Sequence, residues 1–217
     1  MTPNSKTLIT KAFTFFFRLL YHSFAWSYDW VAAIVSVGQW NQWVLSAIPY
    51  LEGPRILELG FGPGHLQSAM LQRGYQVFGL DESSQMIKLA YSRLVHLNGY
   101  AKIPGLCRGR AQALPYPSDS FDNVIATFPS PYIVDPLTLA EIYRVLAPGG
   151  KVLIVLSAEF TSAKTLHRAA AWLFKATGQA TQDVTPFTQR IRAAGFTTRT
   201  VRHKLASSQV LLIEAMK

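Results

Sequence analysis

The stretch Arg55-Ile56-Leu57-Glu58-Leu59-Gly60-Phe61-Gly62-Pro63-Gly64-His65-Leu66 leaves this chain few folds to choose from. A short apolar run passes into a turn with glycine at every second position, then into the start of a helix. Ile56, Leu57 and Leu59 suit a strand buried on both faces of a parallel sheet, where apolar residues need not alternate with polar ones. The three glycines take dihedrals closed to other residues and carry no side chain to hold a ligand off the backbone. A helix from about His65 aims free N–H groups and its positive dipole end at whatever fills the turn. The segment therefore predicts a polar or anionic ligand at the carboxyl end of a strand.

The neighbouring acids narrow that ligand. The dinucleotide fingerprint is G-x-G-x-x-G, whereas here the third glycine arrives one residue early. Glu58 stands two residues before the first glycine, where a carboxylate would repel a pyrophosphate but attract a cationic amine. A second strand, Gln76-Val77-Phe78-Gly79-Leu80, ends at Asp81, and an acid there accepts ribose hydroxyls in doubly wound sheets. An amino-acid end, a ribose and an adenine in one molecule satisfy both acids, and S-adenosylmethionine is such a molecule.

The same residues carry a family resemblance. Glu58 to Gly64, followed by Gly79-Leu80-Asp81-Glu82-Ser83-Ser84-Gln85-Met86, resembles the first two motifs of class I S-adenosylmethionine-dependent methyltransferases of the type 11 kind. Ala111 to Tyr116, Ser120 to Val124 and Glu141 to Lys151 resemble the later motifs in the same order. The resemblance runs from about Pro54 to Leu156. It implies an α/β fold: a Rossmann-like, doubly wound, mostly parallel sheet of seven strands with an N-terminal helical cap. It implies S-adenosylmethionine as cofactor and S-adenosylhomocysteine as product. Carried over residue by residue, the cofactor contacts are Tyr28, Glu58, Gly60, Gly62, Gly64, Asp81, Glu82, Met86, Ala111, Gln112 and Thr127. Met86 would pack on the adenine ring. Arg110 departs from the pattern, since relatives carry an acid or amide there and a guanidinium accepts no hydrogen bond. The Ala111 N–H and the Gln112 side chain are then the candidates for the adenine edge.

At 217 residues the chain suits one domain, with 1–52 as cap and 53–217 as core. The lone Cys107 excludes an internal disulfide and fits a reducing compartment, where a buried structural thiol is expected at the end of a strand. The five histidines are scattered, so no metal site is expected. The formal charge of +9 is concentrated late: from Phe160 onward nine Lys and Arg face two acids. That surplus admits nucleic acid, anionic lipid, an acidic substrate or simply a solvated face. No aromatic and basic RNA-binding signature accompanies it, so nucleic acid is the weaker candidate.

The N-terminal region is aromatic. Phe13 to Tyr21 is interrupted by Arg18 and lacks a small-residue cleavage site, against a signal peptide. Trp30 to Leu51 carries no charged residue, yet Gln39, Asn41 and Gln42 at its middle argue against a membrane span and for two helices broken at Gly38. Phe24 to Trp30 resembles the N-terminal region of ubiquinone/menaquinone C-methyltransferases and of phosphatidylethanolamine N-methyltransferases, with Tyr28-Asp29 as the transferable pair. Trp26, Trp30, Trp40 and Trp43 either line a pocket or cement cap helices to the sheet. Residues 12–22 are a candidate for peripheral contact with a membrane. The expected location is the cytoplasm, with attachment to the membrane surface as the alternative.

The expected reaction is methyl transfer to a small, lipophilic or aromatic acceptor, quinone-like or lipid. The enzyme then supplies orientation, water exclusion and, for carbon or oxygen nucleophiles, a base. His22, Tyr28 and His65 are the titratable candidates. Two other classes remain open: a nucleotide-dependent oxidoreductase, opposed by the glycine spacing and Glu58, and a non-catalytic membrane- or RNA-associated protein that keeps the fold.

Overall fold

The computed structural model describes residues 36–98, 105–161 and 184–217. His22, Trp26, Tyr28, Trp30 and the aromatic run at 12–22 lie outside the described residues.

In chain order the elements are α1 (Trp40–Leu45), β1 (Arg55–Leu59), α2 (His65–Gln72), β2 (Gln76–Asp81), α3 (Ser84–Asn98), β3 (Gly105–Arg108), β4 (Phe121–Thr127), α4 (Pro136–Val145), β5 (Leu146–Phe160), α5 (Thr185–Ala193), β6 (Thr197–Lys204) and β7 (Ser208–Met216). Seven strands form one sheet in the order β3-β2-β1-β4-β5-β7-β6. The first five are parallel, and β7 runs antiparallel to both of its neighbours. The strand order reverses between β1 and β4, so a crevice opens beyond their carboxyl ends.

Burial on both faces follows from the apolar runs. Leu57, Leu59, Val124, Ala126, Val152 and Ile154 join one core with Leu139, Ile142 and Val145 of α4 and Ile191 of α5. Ile56, Val77, Ile125, Leu153 and Val155 join the other with Trp43, Val44, Leu66 and Met70. Truncating any of the large buried aliphatics to alanine is expected to cost about 2–5 kcal/mol. Side chains cap two of the helices, α3 and α4. The Ser83 hydroxyl accepts the Met86 N–H at 3.4 Å, and Asp135 accepts the Leu137 N–H at 2.9 Å with Pro136 in the first turn.

One local expectation, the burial of Cys107, is corrected, and strand pairing sets the bounds of β5 and α4. β5 runs well beyond its central apolar run Val152 to Leu156, because β4 on one side and β7 on the other pair with it over most of its length. α4 ends at Val145, ahead of Pro148-Gly149-Gly150, since Leu146 is already extended and paired with Phe121. Cys107 is only half-buried, because β3 is the outermost strand and has a neighbour on one side alone.

The end of the predicted cap belongs to the core. Trp43 is fully buried, its indole N–H donates to Ser208 Oγ at 2.9 Å, and that hydroxyl donates to Gln39 Oε1 at 2.7 Å. Trp43 therefore fixes α1 to β7, as the packing reading of these tryptophans requires. No helix among the described residues is long and apolar enough to cross a membrane.

Candidate functional site

The glycine turn is held from every side. Gly60 donates its N–H to Leu80 O at 2.7 Å, and Gly62 donates to Asp81 Oδ2 at 3.0 Å, so the end of β2 carries the turn. Asp81 Oδ1 also accepts the Ser83 N–H at 2.8 Å. From α3 the Arg93 guanidinium donates to Pro63 O, and Ala90 packs where a Gly64 side chain would lie. Gly60, Gly62 and Gly64 have φ of 68°, 54° and 81°, the left-handed region that other residues rarely enter. A Cβ on Gly60 would stand 3.0 Å from the Tyr132 hydroxyl, whereas one on Gly62 would meet nothing within 4 Å. The turn is thus packed beneath Gly60 and open above Gly62, which leaves room for a ligand against the backbone.

Glu58 lies at the floor of this cradle with 1% of its surface exposed. Its Oε2 is buried without a hydrogen-bond partner. Burial pushes its carboxyl up to about 8; a hydrogen bond from Gln67 opposes the shift and the nearby Asp81 charge adds to it. A buried carboxylate oxygen with no donor is costly unless a donor arrives. An ammonium group meets that need with charge as well as a hydrogen bond, so these residues fit the amino-acid end of S-adenosylmethionine.

Two participants were not read from the sequence. Gln67, buried in the first turn of α2, donates to Phe78 O at 3.2 Å and lowers the carboxyl of Glu58 against the rise that burial causes. Its only sequence signal is an amide among the inward-facing residues Leu66 and Met70. Tyr132, in the short 3-10 turn Pro131–Val134, donates its hydroxyl to Leu59 O at 3.3 Å. Burial, then the Asp81 and Glu58 charges, hold that phenol well above its ordinary pKa, so it stays a neutral donor.

The remaining expectations divide. Glu82 extends away from Asp81 and pairs with Arg110, Oε1 to Nε 3.0 Å, across the gap between β2 and the Arg110–Ala113 turn. The Arg110 departure thus has a partner in Glu82. Met86, in the first turn of α3, is fully buried. Ala111 is buried at the expected loop, and Gln112 Nε2 donates to Asp135 Oδ2 at 3.4 Å. This loop is clamped to α4, where Glu141 accepts the Leu114 N–H at 2.7 Å and Arg144 donates to Leu114 O and Tyr116 O. Thr127 ends β4 beside Val155, and His65 is the first residue of α2. Tyr28 and His22 lie outside the described residues. No group of three or more His, Cys, Asp or Glu side chains is arranged for a metal among the described residues.

Fold and cradle together define a nucleotide-binding doubly wound domain, and comparison with known proteins gives its family. Residues 57–154 match the family described as the methyltransferase domain. The uncharacterized methyltransferase YdaC of Bacillus subtilis is 34% identical over 148 residues, which cover 64% of this chain and 78% of that protein. The chain belongs to this methyltransferase family, whose cofactor is S-adenosylmethionine. The demethylmenaquinone methyltransferase of Symbiobacterium thermophilum is 33% identical over 141 residues, covering 62% of this chain. The match spans 56% of that relative's length, little more than half. Among solved structures, phosphoethanolamine N-methyltransferase 2 of Haemonchus contortus in complex with S-adenosyl-L-methionine has a TM-score of 0.59 at 19% identity, covering 83% of this chain and 53% of that one. At that identity the likeness is one of fold.

Proposed function

We propose that this chain transfers a methyl group from S-adenosylmethionine to a small lipophilic or aromatic acceptor, quinone-like or lipid. The observation that carries the cofactor half is Glu58: a buried carboxylate oxygen without a donor, one strand residue from an open glycine turn and beside Asp81. Glu58 would hold the amine, Asp81 the ribose hydroxyls, and the backbone of Gly60 to Gly64 the polar groups between them. When bound, the cofactor supplies an electrophilic methyl on a sulfonium that leaves as a neutral thioether. The protein's part is to fix that methyl against the acceptor and keep water out. Thr127 and the loop after β4 stand beyond the strand ends at the switch point, where the acceptor should come. The described aromatic residues there and the name of the Symbiobacterium relative support a ring-bearing acceptor.

Calorimetry with S-adenosylhomocysteine, S-adenosylmethionine and NAD tests the cofactor. Micromolar binding of the first two and much weaker binding of NAD are expected; tighter NAD binding sinks the assignment. Asp81→Ala should weaken the cofactor by about 1–3 kcal/mol through lost charge-assisted hydrogen bonds. An unchanged affinity would place the site elsewhere. Methyl transfer from labelled cofactor to a 2-alkyl-1,4-naphthoquinol, compared with short-chain phosphatidylethanolamine and with small polar amines, tests the acceptor.

A further inference from the structure

We infer that Tyr132 is a positioning residue for methyl transfer: its hydroxyl ties the peptide that opens the glycine turn to the loop after β4, so that order in the cofactor cradle and order in that loop rise together. This deepens the reading above and rests on it. The β1–β4 ladder ends at the pair Leu59 and Ala126. Beyond it the chain after β4 turns toward β5, with the Phe128 N–H on Val155 O at 2.7 Å. Tyr132 reaches back to β1, its hydroxyl donating to Leu59 O at 3.3 Å. The same peptide unit gives its N–H, on Gly60, to Leu80 O at 2.7 Å. One peptide plane is thus gripped at both ends, by β2 on one side and by the loop after β4 on the other.

The hydroxyl is fitted to that place. A Cβ on Gly60 would stand 3.0 Å from its oxygen, so Tyr132 fills the space that a side chain on Gly60 would take. Burial, then the charges of Asp81 and Glu58, keep the phenol neutral and able to donate. Those are the acids proposed for the ribose and the amine, so Tyr132 stands within their field at the same strand ends. Its ring packs with the core that holds Leu59 and Ala126, a role phenylalanine would fill equally. The oxygen adds the link to β1. The other end of the link is anchored as well: Tyr132 O accepts the Asp135 N–H at 3.1 Å, and Asp135 caps α4 and takes Gln112 Nε2 at 3.4 Å. A cofactor that stills the turn therefore stills the loop, where the acceptor is proposed to come. Coupling of this kind is reciprocal, so an acceptor that orders the loop tightens the cofactor by the same factor.

The test compares the full chain with Tyr132→Phe, which deletes one oxygen and keeps the ring. The ligand is S-adenosylhomocysteine, read by calorimetry and by amide hydrogen exchange. In the parent, saturating ligand is expected to slow exchange at least about twofold in the loop Phe128 to Val134 as well as in the glycine turn. In Tyr132→Phe the turn should still be protected at saturation and the loop should not. The Kd should rise by more than about twofold and up to about tenfold, the worth of one hydrogen bond. Equal protection of the loop in both proteins overturns the inference, and so does a Kd within about twofold of the parent. Faster exchange throughout β1 and β4 of ligand-free Tyr132→Phe would mean that the hydroxyl only holds the sheet together, and overturns it too. Should Tyr132→Phe fail to fold, Tyr132→Met, apolar bulk without a donor, is judged by the same criteria. A parent that binds S-adenosylhomocysteine and protects the turn without the loop refutes this inference alone. A parent that does not bind it refutes the cofactor reading, and this inference with it.

Discussion

With Glu58 holding the cofactor's amine as proposed, the affinity for cofactor becomes a function of pH. In the ligand-free fold its carboxyl is held up to about 8, chiefly by burial. An ammonium group needs the ionised form, so binding at neutral pH must expel a proton. Affinity for S-adenosylhomocysteine is therefore expected to rise with pH, by up to about tenfold per unit between about pH 6 and about pH 7.5. Calorimetry in buffers of different ionisation enthalpy should register a released proton. Glu58→Gln should flatten the profile and weaken binding. An affinity independent of pH in the parent would show that Glu58 does not meet a cation. Stability has the opposite sign. A folded pKa above the unfolded value gives stability that is full below the unfolded value of 4.5 and is lost as pH rises through about 8. The melting temperature of the ligand-free parent should accordingly fall across that window relative to Glu58→Gln. Glu58, Gly60, Gly62, Gly64 and Asp81 were legible in the sequence because strand, turn and strand end are fixed by contiguous residues. Tyr132 was not: its hydroxyl reaches the turn across 73 positions, and only the finished sheet brings them together.

At the scale of elements, the gap between β2 and the loop after β3 is spanned by Glu82 and Arg110, whose side chains are 60% and 74% exposed. An exposed pair of this kind contributes little, about 0–1 kcal/mol. Arg110→Ala is thus expected to leave the melting temperature nearly unchanged and cofactor affinity within about threefold. A tenfold weakening, about 1.4 kcal/mol, would mean that the guanidinium touches the cofactor directly. The α1 helix behaves differently. Trp43→Ala should destabilise by about 3–5 kcal/mol, because it empties a buried site and strips Ser208 of a donor. Denaturant unfolding measures it, and a loss below about 1 kcal/mol would detach α1 from the core. The parallel strands and their helices were readable from apolar runs and caps. The reach of β5 was not, since it depends on what packs alongside, here β7.

For the molecule as a whole, the core packing of α1 divides the N-terminal region into two experiments. Removal of residues 1–22 is expected to keep cofactor affinity and to abolish binding to anionic vesicles together with transfer to a hydrophobic acceptor, whereas removal through Leu51 should unfold the sheet. A protein shortened by residues 1–22 that binds vesicles as before would exclude that segment as the membrane contact. The two outer strands of the sheet carry a further consequence. The β3 edge is only four residues long, and the β6 edge sets out Arg202 and Lys204 along a mostly exposed strand, with Arg199 paired to Glu214 of β7. Unpaired strand edges invite pairing with a second molecule, and short length and positive charge both oppose it. The charge acts through a field that dissolved ions shorten to about 8 Å at physiological ionic strength and about 3 Å in molar salt. Concentrated solutions of this protein should stay clear in dilute buffer and associate along β6 as salt is raised, so the same lysine and arginine that tilt the chain toward the basic side also set its limit of solubility.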